Sequence, residues 1–201
     1  MFNIKTGFSF NCLILASVNI LAFTFLSSCG GGGGDAPASI TGVFLDSPVN
    51  GLKYEANPSG LTGTTRMGGK FICKASDTIG FYVGDVALGQ TLCKEIVTPI
   101  DLVPGAIDET NPWENPIVTN IARFLQSLDN DQDPTSYGIN IYPDTIAEVT
   151  GRPIDITNPE LDFDNDPDLD ALFIMLNVTP VTADVAQFHL RTALTSIKLQ
   201  E

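Results

Sequence analysis

The sequence predicts an α+β protein, with a small antiparallel β-sandwich followed by a small helical bundle. Two observations carry that prediction. Short β-branched and aromatic runs recur from Ser39 to Pro99 at about ten-residue spacing, each cut by Gly, Pro, Asn or Asp. Beyond Pro112 the apolar residues change to the spacing of three and four that marks a helix face. Residues 39–100 therefore read as the strand module and 116–201 as the helical module. Residues 101–115, with Pro104, Gly105 and Pro112, read as the linker between them.

The chain begins differently. Lys5 is the one charge among the first 28 residues, and Phe8 to Leu26 is nearly all apolar. A positive charge followed by an apolar run is the pattern of a secretory signal. A spanning helix needs about 20 apolar residues, so length alone does not separate the two. Leu26-Ser27-Ser28-Cys29-Gly30 resembles the lipobox of bacterial lipoproteins: an aliphatic residue, two small ones, then Cys. The resemblance implies a diacylglyceryl group on the Cys29 thiol, cleavage after residue 28 and acylation of the new amine. Two or more acyl chains, at about 0.8 kcal/mol per buried CH₂, anchor a protein stably where one does not. The alternatives are a plain cleaved signal and an uncleaved anchor helix. Residues 29–38, with five consecutive glycines from Gly30 to Gly34, read as a flexible tether. Gly30 after the cysteine implies, by the same resemblance, the outer membrane or cell surface. It leaves open which face the chain occupies.

Composition restricts the partners. The chain carries 24 acidic against 10 basic residues, a formal charge of −14, and loss of residues 1–28 removes Lys5 as well. That balance excludes nucleic acid, whose phosphates require Lys and Arg, and disfavours adsorption to anionic lipid. Cys12 lies in the signal and Cys29 in the lipobox. Cys73 and Cys93 remain, an even pair suited to a disulfide in an oxidising compartment, the alternative being two free buried thiols. No CxxC or Cys/His cluster offers a structural zinc site.

Within the strand region, Ile40 to Leu45 is a first strand ended by Asp46-Ser47-Pro48. Gly51 to Glu55 alternates and turns at Asn57-Pro58-Ser59-Gly60. Thr62 to Thr65, Lys70 to Lys74, Thr78 to Val83 and Leu92 to Val97 complete the set. Gly42-x-x-x-Asp46-Ser47-Pro48-Val49-x-Gly51-Leu52-x-Tyr54, followed by Gly63-Thr64-Thr65-x-x-Gly68-Gly69-Lys70-Phe71, resembles the N-terminal module of uncharacterised bacterial surface lipoproteins. It is also similar to carboxypeptidase-regulatory-like (transthyretin-like) sandwiches, although Arg66-Met67 stands where their hairpin usually carries Asp or Asn. The resemblance covers about 60 residues and implies a binding, spacing or adhesion unit without catalytic residues.

Asn115-Pro116 supplies a cap and a first-turn proline for a helix to about Leu128, with Ile117, Ile121, Phe124, Leu125 and Leu128 on one face. A short helix is expected over Asp144 to Thr150. Another follows Asp166-Pro167, with Leu169, Leu172, Phe173 and Leu176 inward. A last one is capped by Thr182, with Ala186, Leu190, Ala193, Leu194 and Ile197 inward.

Three candidate sites stand out. Asp129-Asn130-Asp131-Gln132-Asp133 follows a helix and alternates carboxylates as Ca²⁺ loops do at ligand positions 1, 3 and 5. Pro134 occupies the place of the turn glycine. If residues 134–137 are an insertion, Gly138 becomes that glycine and Asp144 the twelfth position, so the metal set is Asp129, Asp131, Asp133 and Asp144. The alternative is a solvated acidic loop at a helix end. The second acidic run, Asp162 to Asp170, precedes a helix, where carboxylates serve as caps and dipole partners. Trp113 is either a stacking platform for a sugar or an anchor packed between the two halves. His189, the one histidine, reads as structural or surface.

No Gly-x-Ser-x-Gly, HExxH or P-loop pattern is present. The sequence therefore points to a non-enzymatic envelope lipoprotein with a binding, adhesion or structural role, with Ca²⁺ as candidate cofactor and an envelope polysaccharide or protein as partner. The alternatives are an accessory protein or small hydrolase acting on an envelope polysaccharide, and the front part of a longer surface protein.

Overall fold

The computed structural model describes residues 37–198, with side chains to residue 196. The signal, Cys29, most of the tether and the Ile197 side chain lie outside the described residues. The architecture is α+β, with four helices and three sheets.

Strand β3 (Lys53–Asn57) lies between β4 (Leu61–Thr64) and β6 (Thr78–Val83), and β7 (Val86–Leu92) closes the four-stranded antiparallel sheet β4-β3-β6-β7. Strand β1 (Ser39–Phe44) pairs antiparallel with β5 (Lys70–Lys74) and parallel with β8 (Ile96–Val97). A third, two-stranded sheet pairs β2 (Val49–Asn50) parallel with β9 (Ile139–Asn140), from opposite ends of the described chain. In β3 and β5 every second side chain is buried, the period-two pattern of a sheet with one face on a core.

The four-stranded and three-stranded sheets meet through aromatic rings. Phe44 on β1 lies 4.9 Å from Phe81 on β6, Phe71 on β5 lies 5.2 Å from Phe81, and Tyr54 on β3 lies 6.2 Å from Phe71. Edge-to-face pairs of this kind add about 0.5–1.5 kcal/mol each beyond the area they bury. Gly69 makes the approach possible. It has φ +76°, and a Cβ there would stand 2.7 Å from the Phe44 carbonyl. Cys73 and Cys93 are bridged, 6.0 Å apart at Cα, and tie β5 to the chain leaving β7. Closing a 20-residue separation is worth about 3 kcal/mol on the chain-entropy account.

One strand departs from the sequence reading. Leu92 to Val97 is not a continuous strand. Val86–Leu92 forms β7, hairpinned to β6 through Gly84-Asp85, and only Ile96–Val97 continues as β8. Gly89, at φ +123° beside a register shift at Phe81/Tyr82, sits inside that strand, and the sequence reading assigned no element there.

The helices are α1 (Pro116–Ser127), α2 (Pro143–Val149), α3 (Pro167–Leu176) and α4 (Ala183–Lys198). Asn115 caps α1, its side-chain oxygen accepting from Ile117 N at 3.0 Å and Val118 N at 3.3 Å. Asp166 caps α3 in the same way, and Asn177 ends it in the left-handed conformation. Helix α1 is more buried than its spacing implies: every residue from Val118 to Ser127 is buried, the polar ones included. Residues 99–114 are not bare linker. They contain three short 3₁₀ turns, and Ile100, Leu102, Val103 and Ala106 are buried. One continuous core runs from Phe44 through these turns to Leu190, so strands and helices share their apolar interior.

Candidate functional site

The end of β1 positions a fully buried carboxylate, Asp46. Leu45 and Pro48 bridge a tight turn, and Ser47 adopts φ +74°. A non-glycine residue in that region carries about 1–3 kcal/mol of strain, which the surrounding contacts must offset. The turn sends the Asp46 side chain inward, where none of it reaches solvent. Both of its oxygens are held by helices. Gln126 on α1 donates to Oδ2 at 2.9 Å, and His189 Nδ1 on α4 lies 3.1 Å from Oδ1. The other ring nitrogen, Nε2, lies 3.1 Å from Ser47 Oγ. Burial pushes the Asp46 carboxyl above the usual carboxylate range, and the bonds from His189 and Gln126 oppose the rise. With Nδ1–H donating to Asp46, a neutral His189 accepts the Ser47 hydroxyl proton at Nε2. Ser47, His189 and Asp46 thus stand in the order of a hydroxyl, base and orienting carboxylate.

His189 is only 12% exposed and belongs to the interior rather than the surface. Asp46, Ser47 and Gln126 escape a reading of sequence. The available signal was an Asp placed directly after an apolar strand, and a Gln on the same helix as buried Ile121 and Leu125.

Trp113 lies in a 3₁₀ turn (Pro112–Glu114), half-buried against the core. It also lines a cleft of about 450 Å³ together with Ile100, Ile107, Glu109, Arg191 and Leu194. The Arg191 guanidinium lies 6.0 Å from the Trp113 ring and 5.6 Å from the exposed Phe188 ring. The cleft thus offers apolar walls, an aromatic ring, a cation and a carboxylate in one hollow. Trp113 is an anchor and a cleft wall at once.

The acidic loop keeps part of its expected arrangement. Asp129, at the end of α1, is 1% exposed. Its Oδ1 accepts from Asn140 N at 2.7 Å, and its Oδ2 is buried without a hydrogen-bond partner. Asp131 faces it and accepts from Ser136 Oγ at 2.7 Å and Asp133 N at 3.0 Å. Burial pushes the Asp129 carboxyl up to about 6. Asp131 adds to the rise, and the Asn140 and Asn130 amides oppose it. Asp133 turns away to accept from Thr135 N, and Asp144 sits exposed in the first turn of α2. Asp133 and Asp144 are both exposed, and the four carboxylates do not form one group. Among the described residues no group of three or more His, Cys, Asp or Glu side chains is placed to hold a metal ion.

In the second acidic run three carboxylates have partners, two of them local. Asp166 caps α3, Asp162 accepts from Asn165, and Asp164 pairs with Arg123. The Arg123 guanidinium holds the Asp164 carboxyl below the usual range and lies 4.0 Å from the Phe163 ring.

No protein-family model matches the chain, and no curated protein or solved structure is significantly similar to it.

His189→Ala leaves Asp46 a buried carboxylate with Gln126 as its one remaining partner among those described. Urea denaturation is expected to show a loss of about 3 kcal/mol. Ser47→Ala, which leaves the buried pair intact, is expected to lose about 1 kcal/mol or less. Equal losses in the two variants would show that the Asp46–His189 pair does not carry the strand–helix junction.

Proposed function

We propose that the chain is a non-enzymatic lipoprotein of the bacterial envelope, anchored through Cys29, whose folded part binds an envelope polysaccharide or protein in the cleft at Trp113. The anchor rests on Leu26-Ser27-Ser28-Cys29, and Gly30 favours the outer membrane or cell surface. The cleft carries the binding reading. It sets an aromatic ring beside Arg191 and Glu109 in a hollow large enough for one or two sugar rings or a short peptide. The two sheets joined by Phe44, Phe71 and Phe81 support reading the strand region as a small sandwich, similar to the carboxypeptidase-regulatory-like module. Helices α1 and α4, packed together, support reading the rest as a small bundle. Among the described residues no helix is long and apolar enough to cross a membrane.

A second reading, a small serine hydrolase of envelope esters, is favoured by one observation, the Ser47–His189–Asp46 order. Ser47 Oγ would attack the acyl carbon while His189 Nε2 takes its proton and passes it to the departing alcohol. Water would then release the acyl group. A fluorophosphonate probe would become attached to Ser47 in the parent chain and not in His189→Gln. An unlabelled parent chain rejects this reading.

Metabolic labelling with radioactive palmitate is expected to mark the parent protein and to leave Cys29→Ser unlabelled. Label in both would place the lipid elsewhere. Trp113 is the one tryptophan of the chain, so intrinsic fluorescence reports on the cleft alone. Soluble oligosaccharides released from the envelope are expected to shift its emission saturably in the full lipidated chain in detergent, and the shift is expected to weaken at least tenfold in Arg191→Ala. No shift with any fraction would remove polysaccharide as the ligand.

A further inference from the structure

The buried, unpartnered oxygen of Asp129 has a physical consequence independent of the Trp113 cleft. A carboxylate oxygen shut off from water without a donor loses its hydration and gains nothing in return. Here the group facing it is a second carboxylate, Asp131, whose oxygens already accept from Ser136 Oγ and Asp133 N. Two facing carboxylates repel unless a proton or a cation lies between them. No basic side chain lines the hollow that opens here. A hollow of about 280 Å³ opens at this point, lined by Asp129, Asn130, Asp131, Tyr137, Asn140 and Tyr142, whose side-chain polar atoms are largely oxygens.

We propose that Asp129 and Asp131 together bind one Ca²⁺ ion in this hollow, without Asp133 or Asp144. Ca²⁺ takes six to eight oxygen ligands in flexible geometry. Two carboxylates leave the remaining positions to water, which the open hollow admits. Mg²⁺ demands tighter octahedral geometry and gives up its waters reluctantly, so the loop favours Ca²⁺. Two charged ligands and an exposed Asp131 place the affinity among weak extracellular sites, on the order of 10⁻⁴–10⁻³ M.

The ion would act beyond its loop. Asp129 Oδ1 holds the Asn140 amide, and Asn140 lies on β9, which pairs with β2. Asn50 on β2 donates to the Asn140 side chain at 2.8 Å, and its own oxygen accepts from Gly68 N at 3.1 Å and Gly69 N at 3.0 Å. A cation that fixes Asp129 therefore steadies a chain of hydrogen bonds from the end of α1, across the β2–β9 pair, to the turn before β5.

The test is titration of CaCl₂ into the chelator-stripped, full lipidated chain in detergent, followed by calorimetry and by melting temperature. Saturable heat with one ion per chain and a rise in melting temperature are expected. Asp131→Asn, at an exposed position that leaves the core untouched, is expected to weaken binding at least tenfold. Asp144→Asn is expected to bind as the parent does. Asp129→Asn is expected to melt no lower than the parent without calcium and to lose the calcium-dependent rise. Absence of heat and of any melting shift at about 10 mM Ca²⁺, a response that survives Asp131→Asn, or one that disappears in Asp144→Asn, would each overturn the assignment.

Discussion

The constraint on which the rest of the structure depends is the burial of Asp46. A carboxylate with no exposed surface must be paired or it unfolds its surroundings. The donors that satisfy it come from two helices, Gln126 on α1 and His189 on α4, 80 and 143 residues further along the chain. The strand end cannot settle until both helices are in place. Helix α4 cannot shift along α1 without breaking its bond to Asp46. Apolar contacts around Phe44 and Leu190 supply most of the favourable free energy, but they would tolerate sliding. The buried Asp46, hydrogen-bonded to both helices, ties the strand end to them, and breaking either bond leaves a buried polar group unpaired.

Helix α1 extends that logic. Its apolar residues fill the core, and its polar residues act as fixed connectors to segments distant in sequence. Thr119 donates to the Trp113 carbonyl, Arg123 to the Val181 carbonyl and Asp164, and Gln126 to Asp46, while Ser127 accepts from Val181 N. Each bond contributes about 1 kcal/mol and each costs more than that if left unmade, so the helix specifies its neighbours as well as packing against them. The disulfide does comparable work among the strands, adding a covalent tie between β5 and the exit of β7 to the hydrogen bonds that both make with Asp77.

The functional features all border this frame. The Trp113 cleft is built on 3₁₀ turns held to the N-terminal end of α1. The Asp129 loop leaves its C-terminal end. The Ser47 turn lies against its last turn, through Asp46 and Gln126. A rigid, fully buried helix is a suitable support for three surface features, because loops fixed at a rigid element lose less entropy on binding than free loops do.

The sequence by itself determined the local elements. Caps at Asn115 and Asp166, prolines in the first helical turn, alternating strands and the Cys73/Cys93 pair follow from chemistry between near neighbours, and a reader of the chain finds them in place. It also marked Asp129, Asp131, Asp133 and Asp144 as one ligand set, of which the structure sets Asp131 beside Asp129. Tertiary structure alone decided the rest. Val86–Leu92 became a strand because β6 offered it an edge, despite Gly89. Asp133 turned to the Thr135 amide, and Asp144 was carried into the first turn of α2. Asp46, Ser47, Gln126 and His189 met because the core is continuous across both halves. A residue's burial, and hence the partner its charge requires, is set by segments far away in the sequence. No window of neighbours contains that information.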